Sequence, residues 1–123
     1  MRAILCGANG AMGKLIDGIL GTEIVGRVSI DGENNVPRTF DELGRVEADV
    51  VIDFSHHSAA ADVLAYAKKI GAAAVIGTTG HTPEEKALIH AAAQEIPVFY
   101  AGNVSLGIAV LCRLVKQAAS YFP

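Results

Sequence analysis

Short apolar runs along the chain alternate with segments of helical periodicity. Near-continuous apolar runs cover residues 3–6, 49–54, 73–76 and 97–101, as in strands buried on both faces, and residues 23–30 alternate as a further strand. Between them, apolar residues recur at helical spacing over residues 11–20 and 58–70, over about twelve residues from 83, and from Ser105 onward. This alternation predicts an α/β fold, a Rossmann-type doubly wound parallel sheet in a single domain.

Turn and capping residues mark the predicted boundaries. Gly21 and Gly71 follow two of the helical segments, and residues 31–35 form a polar loop before a short helical turn at residues 39–43. Thr82-Pro83-Glu84-Glu85 is a capping box with proline at the first helical position. The apolar positions of the last helix are Ile108, Leu111, Cys112 and Val115. The chain of 123 residues has room for one such domain.

Composition and charge exclude several classes of function. A net charge of −3 with scattered Lys and Arg gives no basic stripe, so we expect no nucleic-acid partner. No apolar run approaches the roughly 18 to 20 residues of a membrane span, and no charged-then-apolar leader precedes the first strand, so we expect no membrane partner and a cytoplasmic location. Cys6 and Cys112 lie far apart within apolar patterns, which predicts two buried free thiols.

The histidines do not predict a metal site. His56 and His57 are adjacent at a predicted helix start, where neighbouring side chains point apart, and they have no partner at ligand spacing. We expect His81 and His90 to face solvent at helix ends, and Lys68-Lys69 to lie on a solvated face.

A glycine-rich turn, Gly7-Ala8-Asn9-Gly10-Ala11-Met12-Gly13, joins the first strand to the first helix. Its first glycine permits a tight turn, the second lets backbone approach a phosphate, and the third permits close helix–strand packing. N–H groups at the helix start then hold negative charge. The turn therefore predicts a cradle for a dinucleotide pyrophosphate, although G-x-x-G-x-x-G is less usual than G-x-G-x-x-G.

Ligands of such folds bind beyond the carboxyl ends of the strands, so residues after the other strands are the next candidates. Asp31 lies where an acid holds the adenosine ribose, and a carboxylate there favours NADH; Ser29 is an alternative in the same register. NADPH carries an additional phosphate, which the carboxylate of Asp31 would repel. Three cationic side chains are able to offset that repulsion and so to admit NADPH: Lys14, Arg27 and Arg38.

Two later strand exits complete the predicted site. Gly77-Thr78-Thr79-Gly80 offers backbone N–H groups and hydroxyls with little bulk, which suits a flat ring or its carboxamide. Asn103 and Ser105 follow the last strand, and either binds the cofactor or caps the final helix.

Taken together, these motifs make the whole chain resemble the N-terminal domain of the dihydrodipicolinate reductase family. The motifs that carry the resemblance are the turn ending in Met12-Gly13, the run Val51-Ile52-Asp53-Phe54-Ser55, the loop Gly77-Thr78-Thr79-Gly80 and Ala101-x-Asn103-x-Ser105-x-Gly107. The resemblance implies an NADH- or NADPH-dependent oxidoreductase of lysine and diaminopimelate biosynthesis, which transfers hydride to a cyclic dicarboxylate. It also implies roles for the strand-exit residues: Gly7 to Met12 for the pyrophosphate, Asp31 for the ribose, and Phe54, Gly77, Thr79, Ala101 and Val104 around the nicotinamide.

The chain departs from the family pattern in three respects. Ala11 stands where the family often has Arg, which favours NADH, and Gly102 with Val104 replaces the usual Pro and aromatic residue, which predicts a looser nicotinamide wall. The family's second domain, with its His-His-x-x-Lys motif and Asp-Ala-Pro-Ser-Gly-Thr loop, has no counterpart in this sequence, and Ala60 stands where His56-His57 would need the lysine.

We therefore expect a cofactor-binding half that contains no catalytic residue and is inactive alone. For the full-length enzyme we expect a homotetramer. The alternatives are a stand-alone NAD(H)-sensing module and a coenzyme-A-binding domain of a ligase.

Overall fold

The computed structural model, which describes residues 1–122, confirms a five-stranded parallel sheet flanked by helices. The strands are β1 (Ala3–Cys6), β2 (Ile24–Val28), β3 (Val50–Asp53), β4 (Ala73–Ile76) and β5 (Val98–Tyr100). The helices are α1 (Ala11–Leu20), α2 (Phe40–Leu43), α3 (Ala60–Ile70), α4 (Pro83–Ala92) and α5 (Leu106–Ala119). Single 3₁₀ turns lie at Gly21–Glu23, Glu33–Asn35 and His57–Ala59.

The strand order is β2-β1-β3-β4-β5, so the chain reverses its direction across the sheet between β1 and β3. Cys6 is in register with Val28 on one side and with Asp53 on the other, and Asp53 is in register with Ile76. The carboxyl ends of four strands therefore lie at one level. The crevice between β1 and β3 is the topological switch point at which open α/β sheets bind ligands.

Each face of the sheet has its own core. On one face, α2, α3 and α4 cover Ile4, Val51 and Ile76, together with Val63 and Ile89 from the helices. On the other face, α1 covers a smaller cluster formed by buried strand and turn residues, Ala3, Leu5, Ala8 and Ile24. Full burial of a Leu, Ile or Val side chain stabilises a fold by roughly 1.5 to 3 kcal/mol, so the larger cluster dominates the stability.

The last helix forms where the pattern predicts it, but it does not pack on the sheet. Every described residue of α5 is exposed, including Cys112, so the expectation of a buried thiol is correct for Cys6 and wrong for Cys112. On the sheet face that α1 shares, Val75 is only half-buried and Phe99 is 56% exposed. The periodicity predicted the helix itself, but periodicity alone does not say what covers its apolar residues.

Most other boundaries agree with the predictions to within two residues. The β2 strand ends at Val28 and not at residue 30, because the Ser29 N–H leaves the sheet to bond the carbonyl of Pro37 at 2.9 Å. The capping box of α4 is formed on both sides, between Thr82 and Glu85. No helix in the described part of the chain is long and apolar enough to cross a membrane.

Candidate functional site

The glycine-rich turn joins three strands at the switch point. Gly7 has a φ of +77°, and a Cβ there would overlap the carbonyl oxygen of Phe54, which follows β3. The N–H groups of Gly7 and Ala8 both donate to the carbonyl of Val28, at 2.9 and 3.2 Å. The turn is therefore fixed against the ends of β2 and β3, and only glycine fits at its first position.

The start of α1 is open to a ligand. Gly10 is the N-cap and supplies no capping side chain, and the first bond along the helix runs from the Lys14 N–H to the Gly10 carbonyl. The N–H groups of Ala11 and Met12, both exposed, therefore have no partner within the helix. Gly13 lets the first turn of α1 lie close against the glycine turn, since a Cβ at residue 13 would overlap the Gly7 carbonyl oxygen. The arrangement suits an anion at the helix N-terminus.

Asn9 connects the glycine turn to the loop after β2. Its side-chain amide donates to the carboxylate of Asp31 at 2.5 Å and to the carbonyl of Glu33 at 3.0 Å. The bond from Asn9, followed by that from the Glu33 N–H, holds the pKa of Asp31 below its usual range. Asp31 is therefore an exposed, ionised acceptor at the predicted ribose position, whereas the alternative residue, Ser29, is 5% exposed.

The candidate cations near Asp31 differ in availability. Arg27 is engaged by Asp17, with its Nε at 3.1 and 3.2 Å from the two carboxylate oxygens. Arg38 instead crosses over Gly32 and donates from Nη2 to the carbonyl of Asp31 at 3.3 Å. Arg38 is therefore the guanidinium that lies beside Asp31, at the predicted ribose position.

A cleft of about 740 Å³ opens between the exits of β1, β2 and β3. Its polar lining includes Ser29, Arg38, His56 and Asp62, and Tyr66 forms part of its wall. The volume lies in the range usual for small-molecule sites. No pattern in the sequence indicates His56 or Asp62 as site residues, because they line the same cleft as Arg38 only when β2 and β3 lie on either side of β1.

The exits of β3 and β4 form a second compact region. The aromatic ring of Phe54 packs so closely on Gly77 that a Cβ at residue 77 would overlap it. Thr78 is 6% exposed and its hydroxyl donates inward to Asp53 at 2.8 Å, whereas Thr79 is exposed. Of the two threonines, Thr79 is the one available to a ligand.

The exit of β5 is more open. Ala101 is half-buried and Val104 is 57% exposed. The Asn103 side-chain oxygen accepts the Ser105 N–H at 2.7 Å, and the Ser105 hydroxyl accepts the Ile108 N–H at 3.4 Å. Both side chains thus take part in capping α5, which was one of the two roles considered for them.

The histidines have different environments. The ring of His57 lies 2.9 Å from both carboxylate oxygens of Glu85, and this bond, with that from the Thr82 N–H, lowers the pKa of Glu85. His90 is exposed as expected, but the expectation for His81 is wrong: it is 6% exposed and packs edge-on against Tyr100. Tyr100 comes from β5, a contact that no local pattern indicates. Within residues 1–122, no three His, Cys, Asp or Glu side chains form a metal-binding group.

Comparison with known proteins agrees with this geometry. The family model described as "Dihydrodipicolinate reductase, N-terminus" matches residues 1–104. The chain belongs to the dihydrodipicolinate reductase family. Its relatives include 4-hydroxy-tetrahydrodipicolinate reductases from Caldanaerobacter subterraneus, 41% identical over 97% of this chain and 50% of the relative, and from Campylobacter jejuni, 40% identical over 92% of this chain and 46% of the relative. The enzyme of that name from an Anaeromyxobacter species is 53% identical over 58% of this chain and 27% of its own length.

The chain thus spans about half the length of the first two relatives. Membership of the dihydrodipicolinate reductase family makes it part of an oxidoreductase family whose N-terminal domain implies a pyridine nucleotide as cofactor. The residues present fit that group. The uncapped start of α1 has room for a pyrophosphate at Gly10, and the ionised Asp31 offers acceptors for ribose hydroxyls.

Proposed function

We propose that this chain is the cofactor-binding half of a 4-hydroxy-tetrahydrodipicolinate reductase and that it holds NADH or NADPH across the carboxyl edge of its sheet. The observation that carries the proposal is the uncapped start of α1 at the switch point between β1 and β3. There the N–H groups of Ala11 and Met12 lie beside a glycine turn with no side chain at residue 10. Residues 7–12 would hold the two negative charges of the pyrophosphate.

At the adenosine end, the carboxylate of Asp31 would accept hydrogen bonds from the ribose hydroxyls. Asn9 orients that carboxylate, and the cleft between β2 and β3 has room for the adenine. We propose NADH as the preferred cofactor, because the 2′-phosphate of NADPH would meet the charge of Asp31. Arg38, which lies beside Asp31, is the group that would offset this repulsion and permit NADPH to bind.

At the other end, the nicotinamide would lie among Phe54, Gly77, Thr79, Ala101 and Val104. When bound, the nicotinamide supplies a hydride. These residues bind, orient and shield the ring, and none of them is an acid. The substrate contacts and the proton donor would come from the rest of the full-length protein. That protein would be a cytoplasmic homotetramer of lysine and diaminopimelate biosynthesis that reduces a cyclic dicarboxylate.

Ligand titration of the 123-residue chain tests the proposal. We expect NADH to bind in isothermal titration calorimetry, NADPH to bind more weakly and coenzyme A not to compete. Circular dichroism of the same sample shows whether the chain is folded. A folded chain that binds no NADH, or that binds coenzyme A in its place, would refute the cofactor assignment.

Two further results bear on the half-enzyme assignment. Reduction of substrate by the isolated chain would contradict it, because no acid is proposed within this half. A natural reading frame that ends after residue 123 would favour a nucleotide-sensing module, whereas continuation into a His-His-x-x-Lys motif would favour the reductase.

A further inference from the structure

Asp53 is a buried carboxyl group to which the proposed site assigns no role. It ends β3 at 0% exposure, in register with Cys6 and Ile76 on the neighbouring strands. A carboxylate in such a position is unfavourable unless hydrogen bonds replace its lost hydration. Asp53 has those bonds, and they come from two different strand exits.

The two carboxylate oxygens of Asp53 divide the contacts between them. Oδ1 accepts hydrogen bonds from the Ser55 N–H, at 3.1 Å, and from the Ser55 hydroxyl. Oδ2 accepts the hydroxyl of Thr78 at 2.8 Å. The Asp53 carbonyl also accepts the Gly77 N–H at 2.9 Å. One residue thus ties the exit of β3 to the exit of β4.

The residue held between these bonds is Phe54. Its backbone is fixed because Asp53 and Ser55 are bonded on either side of it, and its ring packs against Gly77, which is bonded to Asp53. The packing leaves no space for a Cβ at residue 77. A change in the spacing of the two exits would therefore move the ring relative to the loop that contains Thr79.

We propose that Asp53 is a positioning residue, one that sets the geometry of the nicotinamide subsite without touching the cofactor. The inference rests on the proposed function, because the subsite is defined by the cofactor assigned there. A carboxylate suits the role because it accepts from both hydroxyls at once. An asparagine of the same shape would turn an N–H towards one of them, so that this hydroxyl would have to accept instead of donate, and the bonds to a charged group would be replaced by weaker neutral ones that hold the exits less firmly.

The test uses two ligands that differ only at the nicotinamide end. ADP-ribose has the adenosine and the pyrophosphate of NADH but no nicotinamide, so it reports on the rest of the site. In Asp53→Asn we expect the Kd of NADH to rise about tenfold, which is about 1.4 kcal/mol, and that of ADP-ribose to change less than about twofold. The emission spectrum of bound NADH should move towards that of free NADH.

Thr78 provides a second, milder perturbation that keeps the carboxylate. Thr78→Val removes the hydroxyl that donates to Asp53, so it should weaken the binding of NADH and not that of ADP-ribose. Thr78→Ser retains a hydroxyl at this position, so it should restore the affinity for NADH. Thr22→Val, which removes an exposed hydroxyl between α1 and β2, is the control. The Thr78 pair also decides the question if Asp53→Asn does not fold.

Three results would overturn the positioning role, and a fourth would overturn the proposed function itself. Unchanged NADH affinity and emission in Asp53→Asn, or equal weakening of NADH and ADP-ribose, would overturn the positioning role. Equal NADH affinity in Thr78→Val and Thr78→Ser would overturn it as well. If the folded wild-type chain binds neither ligand, the proposed function itself fails, and the positioning role falls with it.

Discussion

Gly10 is the position at which a side chain should abolish cofactor binding and leave the fold intact. We expect Gly10→Val to do so, because residue 10 caps α1 with φ −70° and ψ 167°, a conformation that a β-branched residue adopts readily. The nearest atom to an added Cβ is the Gly7 carbonyl oxygen at 3.2 Å, which requires a shift of only a few tenths of an ångström. The new methyl groups would stand over the open N–H groups of Ala11 and Met12.

The two effects differ in size. Gly10 provides no side-chain cap to lose, so we expect the free energy of unfolding to change by about 1 kcal/mol or less. A hydrogen bond to a charged group is worth about 1.5 to 3 kcal/mol, and losing two of them at the pyrophosphate removes about 3 to 6 kcal/mol of binding. The Kd of NADH should therefore rise at least about 100-fold.

Calorimetric titration with NADH and urea unfolding of the same samples separate these effects. The matched control is Gly18→Val, since Gly18 lies in the same helix and an added Cβ there meets nothing within 4 Å. The control should bind NADH as the wild type does. A folded Gly10→Val variant with unchanged NADH affinity would refute the pyrophosphate cradle.

Three further predictions concern stability and specificity. Gly13→Ala should lower the free energy of unfolding by about 2 kcal/mol in urea titrations, because the added Cβ would overlap the Gly7 carbonyl. The control, Gly18→Ala, should instead raise the free energy of unfolding by about 0.5 to 1 kcal/mol. Equal effects of the two substitutions would contradict the packing argument. Asp31→Ala should erode the preference for NADH over NADPH in competitive titrations, and an unaltered ratio would move the ribose role elsewhere. Burial, with a smaller effect from the Asp53 carboxylate, raises the pKa of the Cys6 thiol, so above about pH 8.5 only the unfolded chain ionises this group. As the pH rises, the free energy of unfolding of the wild type should then fall more steeply than that of Cys6→Ala, by up to about 1.4 kcal/mol per pH unit. Parallel curves for the two proteins would argue against a buried thiol.

The fold was predictable because it follows from local patterns. Strands buried on both faces give apolar runs, and the glycines and the capping box at Thr82 mark where the chain turns. The glycine turn was equally predictable from the sequence. The positive φ of Gly7 and the close packing at Gly13 are backbone requirements that only glycine meets. The bounds of the strands differ by a residue or two, because they depend on which N–H groups find partners outside the sheet.

The features that sequence did not predict depend on contacts between distant segments. His81 is buried and packs against Tyr100 of β5, and Arg38 and His56 line the same cleft only after the strands are ordered. The family motif drew attention to Asp53, but its bond to Thr78 joins two strand exits 25 residues apart. The exposure of α5 likewise depends on its position in the fold, because its periodicity is that of an ordinary packed helix.

The two ends of the proposed cofactor site are built by different physical means. At the adenosine end, Asp31 is an exposed polar group, bonded to an Asn9 side chain that can be exchanged without opening the core. At the nicotinamide end, the hydrogen bonds converge on the buried carboxylate of Asp53, where a lost partner leaves a charge unsatisfied. Substitutions at the first end should therefore alter the choice between NADH and NADPH at little expense in stability, whereas those at the second should alter ring geometry and stability together. If the proposed site is correct, a domain built this way would be able to change its cofactor preference and still present the nicotinamide in one position.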